Sequence, residues 1–137
     1  METIRKELQL QAKTGELDTL LGILEADLDK AGCPVDKQMA IGICAEEIFV
    51  NIANYAYEQE EGFAWISETV EDNRISLCFR DSGKPYDPLA REDPDTTLSA
   101  EERQIGGLGV FMVKKMSDSV TYEYKEGKNC LAMVFSW

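Results

Sequence analysis

The chain contains no histidine, and its four cysteines (Cys33, Cys44, Cys78 and Cys130) are scattered with no Cys-x-x-Cys pair. Without closely spaced imidazole and thiolate ligands a zinc site is disfavoured. Without paired cysteines the disulfide-stapled secreted class is set aside, and a reducing cytoplasm is the expected compartment. No apolar run reaches the roughly 18 residues that a membrane-spanning helix needs. The opening residues, Met1-Glu2-Thr3-Ile4-Arg5-Lys6-Glu7, also lack the basic-then-apolar layout of a secretory signal. Cations are scarce: 14 Lys and Arg stand against 26 Asp and Glu, a net charge of −12. Such a surface repels nucleic acid and anionic membranes, so direct contact with either is not expected. An anionic ligand would need local compensation, from helix N-termini or a divalent cation.

What remains is an ordinary globular composition. At 137 residues, 44% hydrophobic and 29% charged, the chain has the size and apolar content of one core-forming domain spanning 1–137. Residues 3–12 alternate loosely, as in a first strand. Leu17, Leu20, Leu21, Leu24 and Leu28 recur at helical spacing, and Gly32 and Pro34 end that helix. A second helix is predicted from about Asp36, a good N-cap, to Tyr57, with Ile41, Cys44, Ile48 and Ile52 on one face. Phe63–Val70 and Arg74–Phe79 read as a hairpin turning at Glu71-Asp72-Asn73. Val120–Lys125 and Asn129–Trp137 read as a second, turning at Glu126-Gly127-Lys128. Between the hairpins, residues 82–104 are rich in Pro, Asp, Glu and Thr without periodicity, which suggests a functional lid or a disordered insert. The pattern predicts an α+β two-layer sandwich: a mixed, mainly antiparallel sheet of about five strands with three helices on one face.

Three constellations carry chemistry. Glu47, Asn51 and Tyr55 are four apart, so on an α-helix they share a face at the edge of the apolar stripe. There a carboxylate can accept a proton and an amide oxygen can ligate a hard cation such as Mg²⁺. The same spacing also suits a plain polar helix flank. Asp81-Ser82-Gly83 ends the third strand, where an Asp can accept from an exocyclic amine and Gly83 would let a flat ring approach the backbone. It reads equally as an ordinary turn. Ile105-Gly106-Gly107-Leu108-Gly109 then opens an apolar, helix-period run. Its glycines expose backbone N–H groups at the positive end of a helix, the makings of a phosphate cradle, although a tight turn has the same composition. No Gly-Lys-Ser/Thr follows, and Met112 stands where a dinucleotide fingerprint needs its third glycine, so neither common phosphate loop is present.

Taken in order, these segments resemble the N, G1 and G2 boxes of the histidine-kinase-like ATPase superfamily, the Bergerat or GHKL fold. Within it the chain looks like the compact anti-sigma factor serine/threonine kinases of bacteria, over nearly its whole length. The resemblance implies ATP/ADP and Mg²⁺ as cofactors, with Asn51 as the metal ligand and Glu47 as the general base for an attacking hydroxyl. It implies that Asp81 holds the adenine amine and that Gly83 lines the ring. Gly106, Gly107, Leu108 and Gly109 would wrap the phosphates under a lid of about 88–105, with Asn54 and Arg103 within reach of phosphate. It further implies a small antagonist protein as phosphorylation substrate, a sigma factor or similar regulator as second partner, and a homodimer. A full sensor kinase is set aside, because there is no histidine to phosphorylate. The chain departs from the family pattern at three points. Tyr55 stands where members often place His or Lys. Ile105, not Arg, precedes the glycines. Asn129 and Cys130 occupy the neighbourhood of a closing-strand Thr that often contacts adenine.

Overall fold

The computed structural model describes residues 3–57, 60–90 and 107–137, with the backbone alone at 107–109. Five strands form one sheet: β1 (Ile4–Gln11), β2 (Phe63–Glu71), β3 (Arg74–Asp81), β4 (Ser119–Lys125) and β5 (Lys128–Ser136), in the order β1-β2-β3-β5-β4. All four pairings are antiparallel. The expected mixed, mainly antiparallel sheet is therefore antiparallel throughout its described strands. Hairpins make β2–β3 and β4–β5, and the remaining connections run through helices.

Those helices are α1 (Leu17–Lys30), α2 (Val35–Asn51) and α3 (Gly107–Met116), with α2 packed between the other two. The leucine stripe of α1 buries Leu20, Leu24 and Leu28, while α2 buries Ile41, Cys44, Ile48 and Phe49. They meet Ala64, Ile66, Val70, Ile75, Leu77, Phe79, Leu131, Met133 and Phe135 in one core. Each fully buried large side chain contributes roughly 1.5–3 kcal/mol of transfer free energy.

The turns follow their residues. Asp72 and Asn73 both take positive φ, as do Glu126 and Gly127, giving the tight hairpin turns whose twist matches the strands. Gly32, at φ 73°, closes α1: its N–H bonds Asp29 O and the Cys33 N–H bonds Leu28 O, a paired cap for the last carbonyls. The start of α2 departs from expectation. Its N-cap is Pro34, with extended backbone at ψ 146°, and Asp36 lies in the first turn instead. The proline N lacks a hydrogen and needs no partner, so the helix begins two residues earlier while Asp36 still complements the helix dipole.

One cluster breaks the apolar layer. Lys6, on the helix-facing side of β1, places its ammonium 2.8 Å from Asp27 of α1, and Glu68 of β2 lies beside them. Asp27 and Glu68 are each only 2% exposed. Burial, together with the adjacent Asp27, pushes the Glu68 carboxyl up to about 8. Burial opposes ionisation of Asp27 as well, but hydrogen bonds from Glu68 and Lys6 hold it below its ordinary value. Neither Glu68 oxygen meets a hydrogen-bond donor among the described residues, which disfavours its charged form.

Candidate functional site

Elsewhere the layers part around a cavity of about 590 Å³, within the range of small-molecule sites. Ile48, Ile52, Phe79, Val110 and Leu131 make its apolar surface. Asn51, Asp81, Lys84, Tyr122 and Asn129 supply polar groups, with Tyr55 and Tyr86 exposed at its edge. The elements that meet here are the end of α2, the ends of β3 and β5, the Gly83–Pro88 segment and the first turns of α3.

The helix changes pitch as it reaches the cavity. From Ile52 to Ala56 it becomes π-helical, which widens each turn beyond the α spacing. The lining positions 48, 51, 52, 55 and 56 present Asn51 and Tyr55 together, two of the three residues expected to share that face. Glu47, one turn earlier and half-buried, lies outside the lining, and so does Asn54, which is exposed.

The strand end is built around Asp81, which is 7% exposed. Its Oδ1 accepts from the Gly83 N–H at 2.9 Å and from Asn129 Nδ2 at 2.9 Å. Among the described residues nothing donates to Oδ2, the oxygen left for a ligand. Gly83 has a tighter reason to be glycine than the approach of a flat ring: an added Cβ would lie 2.9 Å from the Ala56 carbonyl carbon and nearer still to its oxygen. Strand end and helix end are in backbone contact. Tyr57 ties the same junction, its hydroxyl donating to Phe63 O and accepting from the Ser82 N–H at 2.9 Å. Gly62 leaves the space its ring occupies.

Of the glycine cluster, Gly107, Leu108 and Gly109 form the start of α3, and Val110 in its first turn lines the cavity. The start of that helix, where an anion is favoured, is thus within a turn of a cavity-lining residue. Gly106, Arg103 and all but the first residues of the expected lid at 88–105 lie outside the described residues. Pro88–Ala90 forms a single 3-10 turn.

Sequence reasoning missed Lys84, Tyr122 and the role of Asn129. Strand alternation separates the two residues of that neighbourhood: Asn129 lines the cavity, whereas Cys130 faces the opposite side of the sheet. Only the register, which pairs Asn129 with Asp81, reveals this.

The residues present suit an adenine nucleotide. The apolar walls suit a base, Asp81 Oδ2 an amine donor, and Asn51 and the α3 start the phosphate end. No cluster of three or more metal-ligating side chains occurs among the described residues.

Comparison with known proteins agrees with the geometry. The model of the histidine kinase-like ATPase domain matches residues 10–135, and the chain belongs to that family, whose fold carries an ATP site. Among individual proteins, it is 28% identical over 98 residues to the serine/threonine-protein kinase BtrW of Bordetella bronchiseptica, covering 70% of this chain and 68% of that one. It is 26% identical over 125 residues to the serine-protein kinase RsbW of Listeria monocytogenes, covering 88% and 80%. With the RsbW of Staphylococcus epidermidis the figures are 25% over 134 residues, 93% and 84%. No described helix is long and apolar enough to cross a membrane.

Proposed function

We propose that the chain is an ATP-dependent protein serine/threonine kinase of anti-sigma type, acting on a small antagonist protein and also sequestering a sigma factor or similar regulator. The observation that carries this is the cavity, where Asn51, Asp81 and the start of α3 converge at one side of a sheet whose relatives are named serine kinases. In this reading the protein acts in the cytoplasm, as a homodimer.

The roles follow from position and chemistry. Asp81 accepts the amine of adenine, and Gly83 keeps the helix end and strand end close enough for Asp81 to line the cavity. Asn51 would hold Mg²⁺, which would supply neutralisation of phosphate charge. Backbone N–H groups at Gly107 and Gly109, joined by Gly106, Leu108 and Arg103, take the remaining phosphate charge, and Asn54 closes on it from the α2 side. Glu47, one turn from Asn51, takes the proton of the attacking hydroxyl as its oxygen bonds to the γ-phosphorus and the bond to the departing ADP breaks, so transfer consists of positioning and charge neutralisation with one proton moved.

A second reading, a nucleotide-gated binding module with little phosphotransfer, has one observation in its favour: Glu47 stands outside the cavity lining. Incubation with labelled ATP, Mg²⁺ and small candidate antagonist proteins separates the two. The kinase reading expects label on a Ser or Thr, lost in Glu47→Ala while nucleotide still binds at micromolar level, about 8 kcal/mol. Nucleotide binding without label transfer to any candidate would favour the module. No binding at all would sink both.

A further inference from the structure

Asn129 is a heavily bonded side chain at the cavity. Its Nδ2 donates to Asp81 Oδ1 at 2.9 Å, to Lys84 O at 2.9 Å and more distantly to Gly83 O at 3.4 Å. Its Oδ1 accepts from the Tyr86 N–H at 3.0 Å and from the Tyr122 hydroxyl. The partners fix the orientation of the amide, since two carbonyls and a carboxylate need the NH₂ and a backbone N–H needs the oxygen. Two hydrogens and two lone pairs are then fully engaged, and the side chain is 7% exposed. Nothing is left for a ligand.

The position explains the need. Asp81 and Asn129 form the last pair of the β3–β5 ladder. Beyond it the chain leaves the sheet through Gly83, Lys84, Pro85 and Tyr86, a segment with no strand partner and with a proline that has no N–H to give. The Asn129 amide continues the ladder in side-chain form, bonding three backbone groups of that segment. At the same time it holds Asp81 by one oxygen.

We infer that Asn129 is a positioning residue for base selection: it turns Asp81 so that Oδ2 meets the ligand, and it anchors the Gly83–Tyr86 wall, without touching the base. The inference rests on the nucleotide reading above. An Asp held by Oδ1 through two donors cannot rotate to present a hydroxyl or a different edge, so the cavity accepts a purine bearing a 6-amino donor and rejects a 6-oxo purine. Releasing the carboxylate loosens that choice even though Asp81 is still present.

The test compares binding of ADP and inosine diphosphate by calorimetry with amide exchange at Gly83 and Tyr86 in the nucleotide-free protein. Asn129→Ala should weaken ADP about tenfold and shrink the ADP-over-inosine preference by about the same factor, with inosine diphosphate binding nearly unchanged. Exchange at Gly83 and Tyr86 should rise about a hundredfold while that of Ile66 and Leu77 stays put. Asn129→Asp, which keeps shape and acceptor but loses the donor, should do the same to the preference, and it serves if the alanine variant unfolds. In an Asp81→Ala background the preference should already be gone, and adding Asn129→Ala should change it by less than about twofold. An unchanged preference in both Asn129 variants overturns the inference. So does a further change in the Asp81→Ala background, which would mean that Asn129 meets the base directly. Absence of any ADP binding to the unaltered protein would instead overturn the nucleotide reading, and the exchange arm would still judge whether Asn129 holds the segment.

Discussion

Two carboxylates are buried, Asp27 on α1 against the β1–β2 pair and Asp81 at the end of β3, and their surroundings differ. Asp27 is closed in: the Lys6 ammonium reaches both of its oxygens, at 2.9 and 2.8 Å, with Glu68 beside it. Asp81 is held on one oxygen by Gly83 and Asn129, and it lines the cavity with the other. A carboxylate whose two oxygens both face a cation of the same chain contributes to the fold. One satisfied on half of its acceptor capacity is prepared for a ligand, because completing its shell favours binding. Burial alone would not have told them apart.

The contrast predicts opposite outcomes for two conservative changes. Asp81→Asn replaces the free acceptor by a donor that faces the ligand amine. Nucleotide affinity should fall about a hundredfold or more, near 2.7 kcal/mol, with the melting temperature little changed. Glu68→Gln mimics the protonated carboxyl already present and should leave affinity within about twofold. Equal losses in calorimetry would erase the distinction between the two environments.

Glycines sharpen it further. Gly83→Ala drives a methyl into the Ala56 carbonyl and should cost about 1–3 kcal/mol in denaturant unfolding, with weaker nucleotide binding. Gly22→Ala on α1 meets nothing within 4 Å and should instead stabilise by up to about 1 kcal/mol.

The acid pair predicts a pH dependence. The Glu68 carboxyl sits at about 8 in the folded protein against an ordinary 4.5. Between those values the native state holds a proton that the unfolded chain has lost. Its contribution is thus whole below 4.5 and declines as pH rises toward 8, with a slope of at most about 1.4 kcal/mol per pH unit. Asp27, held low, acts only at acid pH, where its contribution is lost as pH falls. Urea melts across pH 5–8 should show the slope in the natural chain and lose it in Glu68→Gln. The smallest effect belongs to the open sheet face, where Arg80 meets Glu7 at 3.1 Å in solvent. Arg80→Ala should cost no more than about 1 kcal/mol.

Much of the fold was legible because local and global signals agree. The leucines of α1, the positive-φ turns at Asp72-Asn73 and Glu126-Gly127, and the cap at Gly32 each specify their element with a few neighbours. The site was legible where a motif is contiguous, as at Asp81-Ser82-Gly83. Features that depend on pairing were not. Lys6 breaks the apolar alternation of β1, and its reason lies in Asp27, 21 residues away. Asn129 looks like a turn residue until the register places it beside Asp81, 48 positions earlier. The π turn at Ile52–Ala56 has no local signature, since Asn, Tyr and Ala suit an ordinary helix as well.

The Gly83–Ala56 contact sets a dimension. Where a strand end rests backbone to backbone on a helix end, the spacing between them is a sum of atomic radii, insensitive to side-chain rotamers. The separation between the Asp81 and Asn51 sides of the cavity is thereby gauged during folding, in the absence of any ligand. A molecule that binds across it finds its length already measured, and none of its binding energy goes to drawing those two walls together.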